Sequence, residues 1–167
     1  SDSQGGTIGF SKFFKKGYFG VALTNYTSNY GTVAEPDVTI DMKKQRIDFA
    51  GAYKEPLKYV KEVKYKLGLS NYEHTEFKGS EAGTIFKSSG YDSRVEILHD
   101  KFGLFEGAVG LQSGASDFSA LGDEAFLPPT ATRTNSGFIF EEIPLGNLRL
   151  QVGGRFDYQT VISEESA

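Results

Sequence analysis

Alternation of apolar and polar side chains every two residues runs through this chain, and helical spacing is scarce. From Glu62 the segment EVKYKLGLSNY puts Val63, Tyr65, Leu67 and Leu69 on one parity and Glu62, Lys64, Lys66 and Ser70 on the other. Extended backbone sends successive side chains to opposite sides, so such a segment is a strand with two unlike faces. NLRLQVGGRFDY repeats the pattern, with Leu148, Leu150, Val152, Phe156 and Tyr158 opposite Arg149, Gln151, Arg155 and Asp157. SRVEI, LFEGAVGLQ and YFGVALT are shorter versions. One segment changes phase: Val38, Ile40 and Met42 are even, whereas Ile47, Phe49 and Tyr53 are odd. That predicts a bulge or a change of environment between Lys43 and Arg46.

Turn residues divide the alternating segments. KKG at Lys15 to Gly17, EPLK at Glu55 to Lys58, DKFG at Asp100 to Gly103 and PLGN at Pro144 to Asn147 read as tight turns. Between them lie the polar stretches SNYGTVAEPD, EHTEFKGSEAGT and GASDFSALGDEAFLPPTAT, which read as longer loops. Four hairpins follow, hence about eight antiparallel strands. A spacing of roughly 40 to 45 residues also suits a propeller blade, but a blade needs four short strands in that length, and the Trp-Asp signature requires tryptophan. This chain has none.

Composition narrows the function classes. There are fourteen Phe and nine Tyr, yet the hydrophobic residues make up only 38% and the charged ones 24%. A net charge of −4 without clustered Lys and Arg gives no footprint for nucleic acid. The absence of Cys removes disulfides and thiolate metal sites. No apolar run is long enough for a membrane-spanning helix. The opening SDSQGG has neither an initiator Met nor the order of a signal peptide, which reads as a removed signal or an excised piece.

Alternation alone suits either a soluble sheet, apolar face inward, or a membrane barrel turned inside out. Three features favour the barrel: strands of about 9 to 11 residues, short turns on one side with long loops on the other, and aromatic residues near strand ends, such as Phe13, Phe14, Tyr18, Phe102 and Phe105. The charged faces, including Glu62, Lys64, Lys66, Asp92, Arg94, Glu96, Arg149, Arg155 and Asp157, would line a lumen. So many charges need a wide barrel, wet or filled by a polar plug. With the tight turns in the periplasm both termini lie outside, which suggests consecutive strands from within a longer barrel.

Four segments in order, LTNYTSNYGT, LGLSNYEHTEFKGSEAGTIF, RVEILHD and ALGDEAFLPPTAT, resemble the β-barrel portion of TonB-dependent outer-membrane receptors, nearest to the group that includes the zinc-uptake receptors. The resemblance spans Tyr18 to Tyr158. It implies an all-β, antiparallel, up-and-down transmembrane segment of a barrel of about 22 strands in the outer membrane of a Gram-negative bacterium. Residues 1–167 would be a partial barrel domain without a plug. The implied partners are outer-membrane lipid, the plug of the same parent chain, the TonB complex through the parent's N-terminal box, and a small-molecule or metal substrate. The parent would import a scarce nutrient, a metal ion or a metal chelate such as a siderophore. No cofactor is implied.

NYEHTEFKG, Asn71 to Gly79, holds one of the two histidines. If the alternation from Glu62 continues, Tyr72, His74 and Glu76 share the polar parity and Glu73 points away. His74 and Glu76, two apart on a strand, can ligate one divalent cation, but zinc needs at least three protein ligands. Glu81, Asp123 and Glu124 are local candidates for the rest, and Tyr72, Asp123 and Glu124 join the pair as candidate substrate contacts. The competing reading is a polar cluster where strand meets loop. His99, in LHDKFG, reads as a solvated turn residue. Catalysis has little support: there is no Cys nucleophile or nucleophile elbow, and the adjacent Glu141 and Glu142 face opposite sides of a strand. The chain therefore reads as no enzyme. Two alternatives remain: a small eight-stranded outer-membrane barrel with a structural or adhesive role, and a soluble β-sheet binding module.

Overall fold

The computed structural model describes residues 1–33, 35–122 and 125–163. They form eight strands: β1 (Asp2–Phe14), β2 (Gly17–Gly31), β3 (Val38–Leu57), β4 (Val60–Lys78), β5 (Glu81–His99), β6 (Glu106–Leu121), β7 (Thr130–Leu145) and β8 (Leu148–Ser163). All lie in one sheet in chain order, each antiparallel to its neighbours. There is no helix among the described residues. The all-β, up-and-down expectation holds. Among the described residues β1 and β8 pair on one side only, so the sheet has two open edges.

Two local expectations need correction, and a third, a bulge or a change of environment in β3, is decided for the change of environment. The strands run from 13 to 20 residues, well beyond the expected length. They lengthen because the polar stretches read as loops are mostly strand: β4 and β5 continue through EHTEFK and EAGT to a two-residue turn at Gly79–Ser80. Gly79 has φ 63°, a conformation that costs little without a Cβ. The turn assigned to Glu55–Lys58 lies at Lys58–Tyr59 instead, after an irregularity between Lys54 and Leu57. No bulge interrupts Lys43 to Arg46, where β3 keeps register with both neighbours. The apolar residues change phase there because their surroundings change: Ile47, Phe49 and Tyr53 lie on one face, while Ile40 and Met42 lie on the other, in the rows that hold Glu76 and His74.

Cross-strand partners share a face, so rows can be followed across the sheet. One face carries an apolar belt. Ile8, Leu23, Ile47, Leu69 and Tyr91 form one row, and Phe19, Gly51, Tyr65, Val95, Leu111, Gly137 and Phe156 another. Many of these side chains are substantially exposed: Phe19 is 40% exposed, Leu111 69% and Phe156 72%. Glycines aside, the buried residues among those described, Ser28, Ala52, Thr84, Ala120 and Ser136, belong to the opposite, polar face. That inverts the pattern of a water-soluble sheet, which shields its apolar side.

Candidate functional site

At belt height the polar face is crossed by ion networks. On β3 the Arg46 Nε donates to Asp48 Oδ1 at 2.8 Å, and its Nη2 reaches over β4 to Asp92 Oδ2 on β5 at 3.0 Å. Gly68 makes this possible, since a Cβ there would fall on the guanidinium. Toward the other edge, Arg155 donates to Asp157 at 2.9 Å and to Ser136 Oγ at 2.9 Å, and Ser136 donates to Asp157 Oδ1 at 2.5 Å. Arg94 pairs with Glu96 at 2.7 Å and lies over the Phe138 ring, 4.2 Å from its centroid. Glu62 and Lys64 pair at 3.3 Å, and Arg149 donates to Glu142 at 3.1 Å. The charges expected to share one face do so, and most find a partner on that face. These partly exposed pairs each contribute little to stability; together they give the face a polar lining.

Beyond the belt, toward the Gly79 turn, the same face turns aromatic. His74 stacks on Phe86 with ring centroids 4.5 Å apart, and Tyr72 meets His74 edge-on at 5.5 Å. Phe86 lies 6.4 Å from Phe118. Met42 is the cross-strand partner of His74, and the row continues to the buried Ser28 and Ala120. The His74 Nδ1 is buried with no hydrogen-bond partner. Burial lowers the pKa of His74, and the nearby negative charge of Glu76 only partly opposes this. A neutral ring follows, the form able to ligate a metal.

The register places Tyr72, His74 and Glu76 on one face and Glu73 on the other, where it pairs with Lys87 at 3.2 Å. Tyr72 and His74 touch; Glu76 reaches His74 through its charge rather than a hydrogen bond. Glu81 lies across from Lys78 at the hairpin tip. Asp123 and Glu124 lie outside the described residues. Among the described residues no group of three His, Asp or Glu is placed to hold a metal ion.

His99 is not the solvated turn residue expected. Its Nε2 meets Glu141 Oε1 at 3.0 Å and its Nδ1 meets the Asp100 carbonyl oxygen at 2.8 Å. Both partners can only accept, so the geometry suits a ring carrying two protons. The pair lies on the parity of the apolar belt, at its turn-side edge beside Tyr59, Phe102, Phe105 and Ile139. Sequence reasoning missed it, although the signal was present: His99 and Glu141 are ionisable residues on apolar parities. Glu142, on the other face, bonds Arg149 and Gln151, so the two glutamates do point apart. No known protein-family model matches the chain.

Proposed function

We propose that the chain is a segment of the β-barrel of a TonB-dependent outer-membrane receptor whose intact parent imports a scarce nutrient, a metal ion or a metal chelate such as a siderophore. One observation carries the membrane part of this reading. The apolar belt ends at the row Leu23, Ile47, Leu69 and Tyr91, and on the same face the next row is Asn25, Gln45, Asn71, Ser89 and Asp117. The row after that is Thr27, Lys43, Glu73, Lys87 and Ser119. Hydrocarbon, then amide and hydroxyl, then charge is the layering a bilayer imposes on a lipid-facing surface.

A soluble module would need a second layer over its belt, and none of the described residues supplies one. The open edges at β1 and β8 favour a stretch of a larger barrel over a closed eight-stranded one. The receptor class rests on the four resembling segments. In this proposal the parent's plug fills the polar side, substrate is captured beyond the belt by Tyr72, His74 and Glu76, with Asp123 and Glu124 as further candidate contacts, and the TonB complex drives release into the periplasm.

Density-gradient separation of envelopes from Gram-negative cells expressing the encoding gene tests the location. The protein is expected in the outer-membrane fraction, and recovery in the soluble fraction would overturn the proposal. Growth of a deletion strain under metal limitation tests the import step: slower growth, restored by the intact gene and not by one carrying His74→Ala and Glu76→Ala, is expected. Growth equal to the parent strain under every limitation would contradict it.

A further inference from the structure

We infer that the polar face beyond the belt holds a soft monovalent cation, Cu(I) or Ag(I), between the ring of His74 and the thioether of Met42; this rests on the import reading above and names its substrate class. Met42 on β3 and His74 on β4 are direct cross-strand partners. Facing residues share one side of the sheet with Cβ atoms about 5 Å apart, and the unbranched Met side chain has rotatable bonds enough to carry its sulfur to the edge of the ring. The ring lacks any other partner there. His74 Nδ1 is shut off from solvent and bonded to nothing among the described residues. A polar atom buried in this way is destabilising, and coordination of an ion relieves it. The chain has one Met and no Cys, and both ring nitrogens of the other histidine, His99, are already engaged. The only sulfur in the sequence therefore faces the histidine that has a nitrogen to spare.

The donors select the ion. Zinc is held by at least three nitrogen, oxygen or thiolate ligands, and no three of His, Asp and Glu converge among the described residues. A thioether is a soft donor that favours Cu(I), and a monovalent ion with a filled d shell is satisfied by two donors. The surroundings suit a low charge. Phe86 stacks on the ring at 4.5 Å, Tyr72 meets it edge-on at 5.5 Å, and the same row runs on into the buried Ser28 and Ala120. Glu76, whose charge reaches the ring, matches one positive charge and would leave a divalent ion half compensated.

Isothermal titration of the intact protein in detergent micelles and chloride-free buffer, with silver nitrate and separately with zinc sulfate, tests the site. Silver should bind, and X-ray absorption at the silver edge should show a sulfur and a nitrogen neighbour. Met42→Leu keeps the volume and removes the sulfur, so it should erase the sulfur signal and weaken silver binding by about 100-fold, the upper end of what even an outer-shell partner is worth. His74→Phe keeps the stacking on Phe86 and should remove the nitrogen signal. Unchanged circular dichroism establishes that each variant folds. Silver binding that survives Met42→Leu, a spectrum without sulfur, or zinc held more tightly than silver overturns the site and leaves the import reading standing. Silver held through Met42 and His74, with no more silver taken up by cells carrying the intact gene than by the deletion strain, upholds the site and contradicts the import reading.

Discussion

His99 on β5 and Glu141 on β7 meet at 3.0 Å across the width of β6, beside Gly107, the cross-strand partner of Glu141. A Cβ at Gly107 would collide with the Phe140 carbonyl and come within 2.8 Å of Glu141 Oε2, an oxygen that is buried without a partner. Removing one member of such a pair costs more than removing both, because the survivor stays buried and unsatisfied. His99→Ala should therefore lower stability by about 1 to 3 kcal/mol. The double variant His99→Leu/Glu141→Leu should lie within about 1 kcal/mol of the original or above it. Urea unfolding in detergent, followed by circular dichroism, measures both, and a single variant as stable as the parent would contradict this assignment.

Gly68 performs the same service on the polar face. Its missing Cβ leaves the space through which Arg46 joins Asp48 to Asp92. Gly68→Ala should displace the guanidinium and cost about 1 to 3 kcal/mol, as overpacking does. Gly6, where nothing lies within 4 Å of an added Cβ, is the control. Gly6→Ala should be neutral or stabilising by up to about 1 kcal/mol through the unfolded chain. Equal effects at the two glycines in the same unfolding assay would refute the role given to Gly68.

Acid should loosen the region around His74. The unfolded ring titrates near its ordinary 6.5, and burial against Phe86 holds the folded ring lower. Between those two values the unfolded chain binds the proton more readily, so stability is full above 6.5 and declines as pH falls toward the folded value. Backbone hydrogen exchange in the upper part of β4 and β5 should quicken, beyond its intrinsic pH dependence, as pH drops from about 7.5 to about 5. His74→Phe keeps the stacking and removes the titration, so it should flatten that response. An identical response in the variant would assign it to another group.

Much of this architecture was legible because alternation is local. Parity from Glu62 onward placed Val63 to Leu69 on one face and Tyr72, His74 and Glu76 on the other, and the register agrees. Strand ends were less legible, since EHTEFK and EAGT are polar on both parities once the belt has ended, and polarity alone looks like a loop. They remain strands through pairing, Lys87 with Glu73 and Phe86 with His74, which depends on the partner strand. The stacking of His74 on Phe86 and the clasp of His99 with Glu141 were hidden for the same reason. Both depend on which residues become neighbours across strands.

Beyond the belt, Glu73 and Lys87 offer a second check on the layering. They face the belt's side and pair at 3.2 Å with both side chains about half exposed. An exposed pair of this kind contributes about 0 to 1 kcal/mol and is screened by salt. Glu73→Gln should therefore change the urea midpoint little at physiological salt. A loss above about 2 kcal/mol would place the pair in a low-dielectric setting and move the belt's edge outward.

The most direct measurement is a nitroxide scan along β4 from Glu62 to Glu73, with the intact protein in lipid vesicles. The layered face predicts contact with membrane-dissolved oxygen at Val63, Tyr65, Leu67 and Leu69, and none at Glu62, Lys64, Lys66 and Ser70. The signal should then pass to a water-soluble relaxant at Asn71 and Glu73. A scan in which Leu67 and Lys66 are equally accessible to the water-soluble reagent would contradict a membrane-facing sheet.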